Sequence, residues 1–168
     1  MVDAQRWGAA LLVLVSLSVR APAQPAGAVA DETREVLAVT QRFASAMRAR
    51  DTAVLHAVLH PNARLLGMRP AAGGGTRMQL LTSEEFIAYV VRDPRPLWTE
   101  RLFDAEVRLR GTMATVWAAY DFHFGSTFSH CGMDAFQLLR TGAGWQIVSI
   151  ADTYEPTGCP ARPAPGGA

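Results

Sequence analysis

Apolar residues recur at three- and four-residue spacing from Val36 to Met47 (Val36, Leu37, Val39, Thr40, Phe43, Ala44, Met47). That period predicts an amphipathic helix of about five turns, opened by Asp31 with Thr33. Asp51 and Thr52 cap a second, shorter helix over 52–59, which Pro61 stops. A strand is expected over Arg64–Met68. The permissive Ala71–Gly75 (AAGGG) turns the chain back through Arg77–Leu81. Thr82-Ser83-Glu84-Glu85 is a helix start, a hydroxyl cap followed by carboxylates at the positive helix end, and the helix over 83–92 ends before Pro94. Four strand-like runs follow: Trp98–Arg110, Thr112–Phe124, Phe128–Arg140 and Gly144–Tyr154. The hairpin signals Gly111, Gly125-Ser126 and Gly142-Ala143 separate them. Helices first and a long antiparallel meander afterwards predict an α+β layer, with about three N-terminal helices packed on one face of a strongly curved sheet.

The two ends read differently. Arg6 precedes the apolar run Trp7–Val19, which is too short to span a bilayer, and Ala21-Pro22-Ala23 follows as a small-x-small cleavage pattern. These features predict a removable secretory leader over 1–23. A Pro/Ala/Gly spacer over 24–30, a single domain over 31–155 and a Pro/Gly-rich tail over 156–168 are expected after it. No later apolar stretch is long enough to cross a membrane, so the expected location is secreted or periplasmic.

Composition narrows the chemistry. The chain has 168 residues, 49% of them hydrophobic, which suits one domain with a real core. Its formal net charge of +1 lacks the basic excess of a dedicated nucleic-acid binder. All 16 basic residues are Arg, so lysine catalysis is excluded. Two cysteines cannot build a four-thiolate zinc site. His56 and His60 stand at i, i+4, yet no third ligand is evident, and they read as helix-surface histidines; no metal or cofactor is expected. No Gly-x-Ser-x-Gly elbow is present for a hydrolase.

Turn geometry sets an expected register. With Gly125-Ser126 as a two-residue turn, Phe124 faces Thr127, Asp121 faces His130 and Trp117 faces Asp134. With Gly142-Ala143 as the next turn, Phe136 faces Ser149. One face then carries Trp117, Asp121, His123, His130, Asp134, Phe136, Ile147, Ser149 and Thr153. Tyr120 and Asp152 fall on the other, which is also largely apolar, so a homodimer through the outer sheet face is expected. An Asp121 carboxylate on His130 would orient the ring for general-base work; the bland alternative is a cross-strand hydrogen bond. Cys131 would face Tyr154, within reach of Cys159 through the turn at Pro156 and Gly158. In an oxidising compartment the two form a disulfide, and without a true leader they stay reduced.

The element order, "MRARDTAVLHAVLHPNARL" early and "GWQIVSIADT" late resemble the nuclear-transport-factor-2-like superfamily over roughly 32–154. Trp117–Arg140 is similar to a secreted bacterial subgroup of it. The resemblance implies a cone whose curved sheet wraps a pocket beneath the helices, and it too implies a homodimer. Asp134 stands where the similar ketosteroid isomerases carry a pocket aspartic acid, a carboxyl kept neutral by an apolar site. The first helix offers Phe43 and Met47 where those enzymes need a Tyr, and Gly67–Ala72 offers no Asp as general base. The expected function is therefore binding of a small, largely apolar molecule. Asp121, His130 and Asp134 would be its polar handles, and Trp98, Trp117, Phe136 and Ser149 its walls. A lyase, isomerase or cyclase using His130 or Asp134 for proton transfer is one alternative. A non-catalytic dimerisation or interaction module is the other.

Overall fold

The computed structural model describes residues 26–162. The expected leader over 1–23 lies outside the described residues, as do 24–25 and 163–168. Helix α1 spans Ala26–Ala49, α2 spans Thr52–Val58 and α3 spans Ser83–Arg92. The strands are β1 (Leu59–Pro70), β2 (Thr76–Thr82), β3 (Trp98–Arg110), β4 (Met113–Phe124), β5 (Thr127–Thr141) and β6 (Gly144–Asp152). They form one sheet in the order β2-β1-β6-β5-β4-β3. The β1–β6 pair is parallel, and every other neighbouring pair is antiparallel. The helices pack against one face of this curled sheet, as the sequence pattern predicts: α1 against β3 and β6, α3 against β1 and β2.

Local chemistry accounts for the helices. Asp51 caps α2 by accepting from the Val54 N–H at 3.0 Å. Thr82 and Glu85 close a reciprocal capping box on α3. The α1 stripe Val36, Val39, Thr40, Phe43, Ala44 and Met47 is buried, matching the expected face. That helix starts five residues before the expected cap, so residues 26–30 of the expected spacer are helical. Neither Asp31 nor Thr33 acts as a cap. The Thr33 hydroxyl donates to the Val29 carbonyl at 2.8 Å, one turn back, and Asp31 pairs with Arg34 one turn on.

The register departs from expectation at two places. Phe124 faces Thr127 and His123 faces Phe128, as the turn dictates. Ser129 is then extra on β5, a bulge, so Phe122 faces His130, Asp121 faces Cys131 and Ala118 faces Asp134. A one-residue slip exchanges the faces of a strand. Tyr120 and Phe122 therefore join His130 and Asp134 on the inner side, while Trp117 and Asp121 turn outward. A second irregularity, between Gln137 and Leu138, sets Ser149 opposite Gln137 instead of Phe136.

Cys131 and Cys159 form a disulfide with Cα atoms 5.9 Å apart. Cys131 also exchanges two backbone hydrogen bonds with Glu155, at 2.9 and 3.0 Å, so the chain beyond β6 continues alongside β5. Its partner is Glu155, not the expected Tyr154. Farther on, the Arg162 guanidinium lies 3.7 Å from the Phe103 ring centroid. Replacing Cys159→Ser is expected to lower unfolding free energy by about 2–4 kcal/mol in urea titrations, the range for loops of this size. An unchanged midpoint would mean that the backbone bridge alone holds the tail.

Candidate functional site

A cavity of about 330 Å³ opens between the helices and the inner sheet face. That volume lies at the small end for ligand sites. Phe43 and Met47 of α1, Phe86 of α3, and Leu65, Trp98, Phe122 and Ile150 of the sheet form its apolar wall. Into this wall the sheet inserts Arg69, Glu100, Tyr120, His130, Asp134 and Asp152.

Glycine makes the close approaches possible. A Cβ on Gly67 would lie 2.5 Å from the Asp152 carboxylate and 2.4 Å from the Arg69 guanidinium. The hydrogen at that position leaves room for the two to pair, with one contact at 3.1 Å. A Cβ on Gly132 would sit 2.6 Å from the Thr153 carbonyl oxygen and 2.8 Å from the Tyr120 ring. Across that gap the Tyr120 hydroxyl donates to Thr153 at 2.6 Å.

The electrostatics are lopsided. Asp152 has its guanidinium, yet burial still raises its pKa against that partner. Glu100 Oε1 and Asp134 Oδ2 are shut off from solvent without any hydrogen-bond partner. Burial, reinforced by Asp152 and opposed by Arg69, pushes the Glu100 carboxyl up to about 8. Burial first, then the nearby Glu100 and Asp152 carboxylates, raises Asp134 well above the carboxylate range. Burial also drives the Tyr120 phenol far up, so it stays a donor. His130 lies stacked between Phe122, at 5.0 Å between centroids, and Tyr154, at 4.1 Å. Its Nδ1 is 2.9 Å from the Ser129 hydroxyl. Burial, with a smaller push from Arg69, lowers it to about 4, so the ring is neutral near pH 7. The cavity thus combines carboxylic acids that keep their protons with an unprotonated imidazole.

The expected site residues divide into three groups. Trp98, His130 and Asp134 line the cavity. Phe136 is fully buried behind it, edge-on to Phe43 at 6.1 Å. Trp117, Asp121 and Ser149 are turned away. Trp117 is 51% exposed, and Ser149 stands opposite the exposed Gln137 and Arg64. Asp121 accepts from Arg101 Nε at 2.8 Å, with His123 Nε2 at 3.6 Å. The expected Asp121–His130 pair does not form, because the Ser129 bulge moves Cys131 into the position opposite Asp121. Tyr120, through the Ser129 bulge, and Asp152, through the irregularity between Gln137 and Leu138, line the cavity although both were expected on the outer face. Arg69 and Glu100 are two of its ionisable groups and are not among the expected site residues. Alternation from Trp98 puts Glu100 on the same face, a signal present in the sequence.

His56 and His60 do not converge. His56 Nε2 meets Glu84 at 3.1 Å, whereas His60 Nδ1 accepts from the Asn62 N–H at 3.1 Å. Among the described residues, no three His, Cys, Asp or Glu side chains are grouped to hold a metal ion.

The helix-backed, curled sheet is the nuclear-transport-factor-2-like fold, which solved structures share. A nuclear-transport-factor-2-like protein of unknown function from Shewanella baltica matches with a TM-score of 0.57 at 17% identity, covering 76% of this chain and 97% of its own. One from Cytophaga hutchinsonii gives 0.60 at 14%, covering 73% and 97%. One with a cystatin-like fold from Novosphingobium aromaticivorans gives 0.58 at 15%, covering 76% and 84%. Within that class the chain belongs to the family described as "Putative lumazine-binding", whose model matches residues 31–151. No curated protein matches it.

The shifted pKa values give stability a definite pH dependence. Between about 4.5, its ordinary value, and about 8, the folded chain keeps the Glu100 proton that the unfolded chain has lost. Stability therefore falls as pH rises through that window. His130 acts oppositely: between 6.5 and about 4 only the unfolded chain takes up its proton, so stability falls as pH drops there. Glu100→Gln is expected to make the alkaline limb shallower, leaving the share of Asp134, and to spare the acid limb in urea midpoints measured from about pH 5 to 9. An alkaline loss equal to that of the parent chain would refute the assignment.

Proposed function

We propose that the protein is a secreted or periplasmic small-molecule-binding protein. Its cavity takes one largely apolar molecule and holds a polar edge of that molecule on Asp134 and Glu100. The observation that carries this reading is the pair of buried, unpartnered carboxyl oxygens on the wall of an otherwise apolar hollow. A buried polar atom left without a partner is costly, and a ligand N–H or O–H would remove that cost. The family description, lumazine-binding, supports a small-molecule ligand of this kind. The leader pattern and the disulfide support a compartment outside the cytoplasm.

One observation favours a second reading, acid–base catalysis by a lyase, isomerase or cyclase. Asp134 and Glu100 are proton donors at neutral pH, and His130 is a neutral base in the same cavity. Environments that drive proton affinities apart in this way can serve as acid and base.

The outer sheet face supports a homodimer. Met113 and Trp117 of β4 and Leu139 of β5 are 53%, 51% and 39% exposed. Ala135 and Ala151 are paired beside Trp117 and present no bulk against a facing copy. The covering occupant is a second copy of this chain. Light scattering at micromolar concentration is expected to give the dimer mass for the parent chain and the monomer mass for Trp117→Arg. A parent monomer would remove this element of the reading.

N-phenyl-1-naphthylamine, an apolar amine with one N–H, probes the cavity directly. It is expected to bind one per chain with a fluorescence rise. Leu81→Trp, which fills the hollow from β2, should weaken it at least tenfold, the loss of about 1.4 kcal/mol. Binding that survives the plug at parental strength would place the probe elsewhere and defeat the proposal.

A further inference from the structure

The β1–β2 hairpin carries a feature that an apolar ligand alone leaves unexplained. Arg69 and Arg77 stand directly opposite each other on paired strands, and both side chains line the cavity. Like charges at opposed positions destabilise a strand pair. Arg69 is neutralised by Asp152. Arg77 is exposed at the rim, and among the described residues it has no ion-pair partner. Gln79, two residues along the same strand, lines the cavity too and adds an amide donor. Arg95 reaches the wall from the segment after α3, held by Asp93 and stacked 4.0 Å from the Phe124 centroid. The rim is thus cationic, while the carboxyl groups lie deep.

We infer that the ligand of this cavity carries an anionic group, a carboxylate or a phosphate, which Arg77 binds at the rim while the apolar body enters between the helices and the sheet. This rests on the binding function proposed above and specifies its ligand class. The guanidinium presents paired N–H donors suited to either anion. An anion placed there also balances the charge of Arg77, which Asp152 leaves uncompensated by pairing with Arg69. Burial keeps protons on Glu100 and Asp134, so the cavity floor does not repel an anionic ligand as ionised carboxylates would.

Three competitors with the same ten-carbon chain test this by displacing N-phenyl-1-naphthylamine: decanol, decanoate and decyl phosphate. At least one of the two acids is expected to displace the probe at about tenfold lower concentration than decanol, the size of one charge-assisted hydrogen bond. The comparison between decanoate and decyl phosphate tells which anion the rim prefers. In Arg77→Gln the ratio of acid to alcohol should fall to about one, and Arg77→Lys should restore part of it. Decanol matching both acids in the parent chain, or an acid advantage that persists in Arg77→Gln, overturns the anionic-ligand inference and leaves a neutral-ligand site. Failure of the probe to bind at all overturns this inference and the proposed function together.

Discussion

Deep in an apolar hollow three carboxyl groups share one guanidinium, that of Arg69, and that imbalance governs the site. Arg69 can neutralise Asp152, but it cannot also neutralise Glu100 and Asp134. Ionising either of those two without a counter-charge in a desolvated site is expensive, so protonation is the cheaper state. The same desolvation that makes an acid keep its proton makes His130 refuse one. The polar character of the cavity therefore follows from where the backbone places a few side chains. Gly67 and Gly132 are part of that placement, since a methyl group at either position would occupy the space that Asp152 and Tyr120 use.

The fold was largely legible in the sequence because its signals are local. The Asp51 cap and the Thr82–Glu85 box act within one helical turn and the Val36–Met47 stripe within little more than three, and each helix forms where its signal stands. The hairpins at Gly111, Gly125 and Gly142-Ala143 turn where expected. What the local pattern could not disclose was the bulge at Ser129. Nothing in Phe128-Ser129-His130 marks one residue as extra, and both faces of β4 and β5 are apolar enough to tolerate either register. The face map was therefore inverted on β4 and, beyond the irregularity between Gln137 and Leu138, on the end of β6, where Ser149 turns outward and Asp152 inward. His130 and Asp134, beyond the bulge on β5, came out on the cavity side, and Asp121 and Trp117 did not. Arg69, Glu100 and Asp152 come from three strands far apart in the chain, and only the closed sheet brings them together.

The disulfide and the backbone bridge at Glu155 bear on the same cavity. They hold the segment that carries Tyr154, and Tyr154 is one of the two rings enclosing His130. The chain after β6 thus forms part of the cavity wall, and its covalent anchor lies one residue from the imidazole in sequence. The Pro/Gly-rich tail, entered through the bridge at Glu155, is then fixed at Cys159 and Arg162.

The parallel pairing of β1 with β6 has a consequence for how the molecule comes into being. It joins Leu59–Gly67 to Ile147–Asp152, so the middle of the sheet stays open until nearly the last residues of the domain have been made. Contacts of such long sequence separation form slowly, because a large loop must close before they contribute. During synthesis, β1 and β2 can exist only as a hairpin with one unsatisfied edge, awaiting a strand not yet translated. A chain cut short before Gly144 would lack the strand that joins β1 to β5, and its exposed edges would be open to pairing with other nascent chains.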